Sequence, residues 1–142
     1  KLMGVCMTSN YKGAKSLDGG YRMMFVIRRE IAKAFDYEFG EHYSTLLCGF
    51  GDDFFKIFNE KTNKILSHPR FEDADLDLIE FFFMSDCDGK ISYKTCGKIY
   101  DLIKNREYNG CLRYIAHSNN DWQDFKDLVK GCYSHRANLI WY

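Results

Sequence analysis

The sharpest local motif in the chain is Asp86-Cys87-Asp88-Gly89-Lys90-Ile91-Ser92, which looks like half of a calcium-binding EF-hand loop. With Gly89 at the sixth loop position, Asp86, Asp88, Ile91 and Ser92 fall at positions three, five, eight and nine. Met84 then occupies the first position and Thr95 the twelfth, where an acidic ligand and a bidentate glutamate normally complete the calcium shell. Too few hard oxygens remain to hold the ion. The segment is therefore expected to be a structural Asp-Gly turn between two helices, built on Asp86, Asp88 and Gly89. One of its carboxylates should bond backbone amides at the start of the second helix.

Cys111, His117, Cys132 and His135 raise the chemistry of zinc, since Cys132-x-x-His135 has the spacing of a metal knuckle. The other half does not match, because Cys111 and His117 are six residues apart, and Cys132 shares a helical face with Trp122 and Phe125 where packing accounts for it. None of the six cysteines or four histidines sits in a local sequence that marks an activated nucleophile. There is no Gly-x-Ser-x-Gly elbow, no phosphate loop and no His-Glu-x-x-His pair, and Gly49-Phe50-Gly51 is an isolated fragment. No metal, no cofactor and no catalytic residue are assigned. An enzyme built on a Cys-His pair or two carboxylates ranks third among the readings, because it requires a deep polar pocket that spacing alone does not reveal. With no secretory segment ahead of them, the cysteines are read as reduced and intracellular.

Charge and aromatic content point to binding instead. Twenty basic side chains balance 20 acidic ones, so the chain lacks the long-range attraction on which sequence-independent nucleic-acid binders depend. No run of about 18 apolar residues suggests a membrane span. Aromatic residues make up 17% of the 142, more than a core of this size is obliged to use, which places some tyrosines at the surface. Arg22, Arg29 and Lys33 form a basic stripe at helical spacing, and Asp73, Asp77 and Glu80 form an acidic one. Bordered by Tyr21 and Tyr108, these stripes are the expected partner-binding residues. The alternative is a binder that sequesters a nucleotide signal, with Arg22, Arg28 or Arg29 on the phosphate and an aromatic ring on the base.

The elements that position these residues follow from periodicity. The chain reads as one domain over 1–142, with Lys1 and Leu2 as an expression scar ahead of Met3. A strand is expected over 3–8, although Met3-Gly4-Val5-Cys6-Met7-Thr8 also fits a myristoylation pattern. A polar loop follows from Ser9 to Gly20. Helices are expected over Tyr21–Tyr37 with Met24, Ile27, Ile31, Ala34 and Phe35 inward, over Glu41–Cys48, and from Asp52 to about Asn59, the last with a strand as alternative. After His68-Pro69, a helix carries Leu76, Ile79, Phe82 and Phe83 inward. A further helix over 92–104 buries Cys96, Ile99, Tyr100 and Ile103. Cys111–Ala116 reads as a strand. Asn120 caps a last helix that buries Trp122, Phe125, Leu128, Val129 and Cys132. The run Ala137–Tyr142 is β-prone and should pair with the N-terminal strand. The expected fold is helix-dominated α+β with a small sheet in which the terminal strands pair.

Met3-Gly4 opening a strand, Gly19-Gly20-Tyr21 leading into Arg28-Arg29-Glu30-Ile31-Ala32, and Ser85-Asp86-Cys87-Asp88-Gly89-x-Ile91 together resemble small uncharacterised accessory proteins of bacteriophages and prophages. The resemblance implies a cytoplasmic bacterial setting, which argues against the lipid anchor. It also implies an accessory role exerted by binding and inhibiting a host protein, with a nuclease-based defence system as one target class. It supplies no catalytic residue.

Overall fold

Asp36 ends the first helix, which the apolar spacing predicts to run on to Tyr37, and opens the next. Its backbone is extended (φ −161°, ψ 130°), and its carboxylate accepts a 2.9 Å hydrogen bond from the Phe39 amide, so it caps a new helix. In the computed structural model, which describes residues 4–110, 112 and 121–142, α1 spans Tyr21–Phe35 and α2 spans Tyr37–Ser44. The expected second helix at Glu41–Cys48 is thus shifted toward the N-terminus, and Thr45–Cys48 forms a 3-10 turn. The Arg70 guanidinium bonds both Asp36 oxygens at 3.0 Å and Glu38 at 2.7 Å. Those hydrogen bonds hold the Asp36 carboxyl below its ordinary range.

The third helix, α3, runs over Asp52–Leu66, which rules out the strand alternative and extends well past Asn59. Phe58, Thr62 and Ile65 are its buried residues, at i, i+4 and i+7, so one narrow stripe docks it, chiefly on α2. The next helix, α4, covers only Leu76–Phe81, with the Asp75 side chain accepting from the Leu78 amide at 3.0 Å. Its inward face is Leu78 and Phe81, followed by Phe82, whereas Leu76 and Phe83 are exposed. Apolar residues at nearly every position from 76 to 84 allow more than one phase, and packing selects this one. Phe81 sets its edge on Trp141 and Phe82 on Phe39.

Helices α5, Tyr93–Ile103, and α6, Asp121–Ser134, pack on each other. The α6 stripe Trp122, Phe125, Leu128, Val129 and Cys132 is buried as expected. Burial of each large member contributes about 1.5–3 kcal/mol. On α5, Cys96, Ile99 and Ile103 are buried and Tyr100 is half-buried. Four short antiparallel strands complete the fold: β1 Val5–Thr8, β2 Leu17–Gly19, β3 Gly89–Ile91 and β4 Leu139–Trp141, in the order β2-β1-β4-β3. The terminal strands pair, with Met7 opposite Trp141. β2 and β3 lie where a loop and a turn were expected, since three residues are too few to display alternation. One hydrophobic cluster runs from Val5 to Trp141 through both halves of the chain. The fold is α+β, helix-dominated with a small four-stranded sheet. The expected Lys1-Leu2 scar and Met3 start, the strand expected at Cys111–Ala116 apart from Leu112, the Asn120 cap and His117 lie outside the described residues.

Candidate functional site

Tyr21, Arg22, Phe25 and Arg28 occupy one face of α1 at spacings near four and seven, which aligns them along two turns of the helix. That face, the end of α2 with its 3-10 turn, the first half of α3 and the segment 82–86 bound a groove of about 560 Å³. Its walls are aromatic. Tyr43 stacks on Phe25 with ring centroids 6.0 Å apart and donates to the Phe82 carbonyl at 3.1 Å, while burial pushes its hydroxyl pKa up to about 12. Phe55, Phe58 and Asn59 face it from α3, and Phe83 closes the far side. Tyr21, Leu47, Phe55 and Phe83 remain exposed around the mouth. Arg22 is exposed there as well, and no ion pair among the described residues holds it.

Arg28 lies at the base with a different role. One terminal nitrogen meets Asp86 Oδ1 at 2.6 Å, the other donates to the Met84 carbonyl at 2.9 Å, and the guanidinium lies over the Phe81 and Trp141 rings. Its Nε has no hydrogen-bond partner among the described residues. The guanidinium thus braces the segment leading into β3. Asp86 answers this arginine and does not cap the following helix. Ser92 caps α5, accepting from the Thr95 amide at 3.4 Å. Asp88 is exposed, and Gly89 opens β3 beneath Trp141, where a Cβ would fall 2.0 Å from the indole.

The remaining expected binding residues are dispersed. Arg29 bonds Glu30 at 3.1 Å and donates to the Tyr108 hydroxyl at 3.3 Å, so this arginine and the half-buried Tyr108 satisfy one another. Lys33 faces Glu41 at 3.8 Å. Asp77 and Glu80 border a smaller pocket of about 200 Å³ beside Lys90 and Ser92. Asp73 precedes α4 in a turn, so the three acidic residues do not form one helical stripe. Tyr21, Arg22 and Arg28 are the residues that the tertiary structure gathers into one place.

Sequence reasoning missed Tyr43, Leu47, Phe55 and Phe83. A weak signal was present in the doublets Leu46-Leu47, Phe54-Phe55 and Phe82-Phe83, because neighbours on a helix point about 100° apart and one of the two can fall at the edge of the buried face. Among the described residues, no group of three or more His, Cys, Asp or Glu side chains is placed to hold a metal ion. Cys132 is buried, and His135 stacks on Tyr11 with its Nδ1 2.9 Å from the Gly131 carbonyl. No helix among the described residues is long and apolar enough to cross a membrane. No family model, no curated protein and no solved structure matches the chain.

Proposed function

We propose that the protein is a binding module whose α1–α3 groove holds a segment of a partner protein, and that it acts by inhibition. In this reading it is a phage- or prophage-type accessory protein of the bacterial cytoplasm that blocks a host protein, with a nuclease-based defence system as target class. The observation that carries the binding role is the ring of exposed Tyr21, Leu47, Phe55 and Phe83 around an aromatic groove, with Arg22, unpaired among the described residues, at its mouth. Aromatic and arginine anchors beside a preformed apolar recess are the residue types that dominate interface energies. The cellular setting rests on the resemblance of the Gly19-Gly20-Tyr21 and Ser85–Gly89 motifs to phage proteins. The test is affinity capture from bacterial lysate with the wild type, Phe55→Ser/Phe83→Ser and Arg22→Glu. A stoichiometric partner held by the wild type and lost by both variants supports the proposal. Recovery of no such partner, or its retention by both variants, overturns it.

A second reading, capture of a nucleotide signal, draws on the groove volume of about 560 Å³, which lies within the range of roughly 300–1,000 Å³ typical of small-ligand sites. Arg22 would meet the phosphate and an aromatic wall the base. Thermal-shift screening with nucleotides separates the two readings, since a ligand bound only by the native state raises the melting temperature.

A further inference from the structure

Cys96 on α5 and Cys132 on α6 are both free thiols, both fully buried, and they meet where the two helices pack. Close by, Gly97 admits the Tyr133 ring, which a Cβ would meet at 2.4 Å, so α6 sits tightly on α5. The Cys96 thiol hydrogen-bonds Cys132, which holds the Cys132 thiol below its ordinary range and, together with burial, pushes that of Cys96 up. Tyr11, in the loop between β1 and β2, covers the pair. Its hydroxyl reaches α6 at Gly131, where a Cβ would fall 2.2 Å from it, so glycine there is what lets the ring in. Burial raises the Tyr11 hydroxyl pKa, and the charges of Cys132, Asp127 and Cys96 add to the rise because the ring lies beside both thiols. The hold on this ring is light: a 3.4 Å hydrogen bond to the Leu128 carbonyl and a stack on the exposed His135 at 4.7 Å. Two residues further on, Gly13 has a φ of 88° and open space where a Cβ would stand, which suits it to a hinge. Beside Tyr11 lies a recess of about 310 Å³, bounded also by Lys15, Asp127, Gly131 and Ser134, polar and roomy enough for a water-sized reagent.

We propose that Cys96 and Cys132 are a redox pair, a site of reversible oxidation by hydrogen peroxide that Tyr11 uncovers. A thiol sealed in an apolar interior is inert. Here the cover is a loop side chain, and its displacement opens the sulfurs without undoing the packing of α5 on α6. The Cys132 thiolate attacks one peroxide oxygen and the O–O bond breaks. The hydroxide that leaves takes up the proton the thiol released, so Cys132 becomes a sulfenic acid and one water forms. The Cys96 sulfur then attacks the Cys132 sulfur, the S–S bond forms, and the displaced hydroxide leaves with the Cys96 proton as a second water. Two thiols have lost two electrons and one peroxide has been reduced to two waters. The product ties α5 to α6. The site shares no lining residue with the α1–α3 groove, so it stands independently of the groove reading.

The test is non-reducing peptide mapping by mass spectrometry before and after hydrogen peroxide, with residual thiols blocked by N-ethylmaleimide. It is run on protein carrying Cys48→Ser/Cys87→Ser, which removes two exposed thiols, with the fold confirmed by circular dichroism. The expected product is a peptide pair linked through Cys96 and Cys132, lighter by two hydrogens than the free peptides and separated again by dithiothreitol. In the same background, Cys96→Ala is expected to stop the reaction at a Cys132 sulfenic acid that dimedone captures. Tyr11→Ala is expected to speed the linkage roughly tenfold, since the opening step no longer limits it. No link between Cys96 and Cys132 in the folded protein, with Tyr11 present or replaced, overturns the proposal, as does a link that forms only in urea. A Tyr11→Ala protein that links no faster overturns the role given to Tyr11. The linked peptide is read without any change at the buried thiols, which keeps the test decisive if Cys96→Ala fails to fold.

Discussion

Arg28 and Asp86 meet at 2.6 Å with opposite exposures, 4% for the arginine side chain and 48% for the aspartate. The pair ties α1 to the segment that walls the groove and leads into β3. The Met84 carbonyl bonds the same guanidinium, and the Ser85 carbonyl accepts from Trp141 Nε1 at 2.8 Å, so the segment is fixed from the helix and from the sheet. Because the exposures differ, the two partners are not equivalent. Water can rehydrate an orphaned Asp86, but it does not reach an orphaned Arg28.

Asp86→Ala is therefore expected to destabilise the protein by roughly 2–3 kcal/mol, since it leaves a buried guanidinium short of its counter-charge. Arg28→Met keeps the aliphatic stem over Phe81 and Trp141 and should cost about 1–2 kcal/mol. In the Arg28→Met background, Asp86→Ala should add close to nothing. Urea unfolding of the two single variants and the double variant measures this cycle, and additive losses would sink the argument.

Gly40 lies where α2 crosses α1, and a Cβ there would fall 2.5 Å from Lys33 Cα. Alanine gains about 1 kcal/mol in helix propensity over glycine, yet overpacking against backbone costs typically 1–3 kcal/mol. The neighbour here is main chain and cannot rotate away, so the clash should win. Gly40→Ala is expected to lower the urea midpoint, and a raised midpoint would show that the helices separate easily.

His42 stacks on Phe58 at 4.1 Å and places Nε2 2.7 Å from Thr62 Oγ1. The threonine hydroxyl already donates to the Phe58 carbonyl, so Nε2 is the donor to Thr62. Burial, reinforced by the nearby Lys61, lowers its pKa from the ordinary 6.5. With the folded value depressed, the unfolded chain binds the extra proton more readily. The contribution is present above the unfolded pKa and is lost as pH falls through the folded one. The melting temperature of the wild type should fall between about pH 7.5 and about pH 5, and His42→Phe, which keeps the stacking, should flatten that slope. Identical slopes in both proteins would remove His42 as the cause.

How much was legible in the sequence depended on whether a segment offered one apolar phase or several. On α5 and α6, Cys96, Ile99 and Ile103, and Trp122, Phe125, Leu128, Val129 and Cys132, each define a single stripe, and all are buried. Around α4 almost every residue is apolar, so Leu76 and Phe83 were placed inward while Leu78 and Phe81 hold that position. Asp36 reads as an ordinary helical residue until its cap on Phe39 and its clamp by Arg70 are seen. Of the candidate site, Tyr21, Arg22 and Arg28 were legible as residue types suited to binding, and the aromatic walls were not.

The sequence by itself determined the α+β class and the buried faces of the most periodic helices, because each follows from a local pattern; for the terminal strands it supplied only their β-propensity, and folding brought Met7 opposite Trp141. The tertiary structure alone decided which member of Phe54-Phe55 and Phe82-Phe83 turns to solvent, and whether an arginine is displayed or consumed. Adjacent helical residues point about 100° apart, so a doublet straddles the edge of the core and only the neighbouring helix selects the side. Arg28 is consumed because its counter-ion lies 58 residues away, a distance along the chain at which spacing carries no information and only folding brings the charges together.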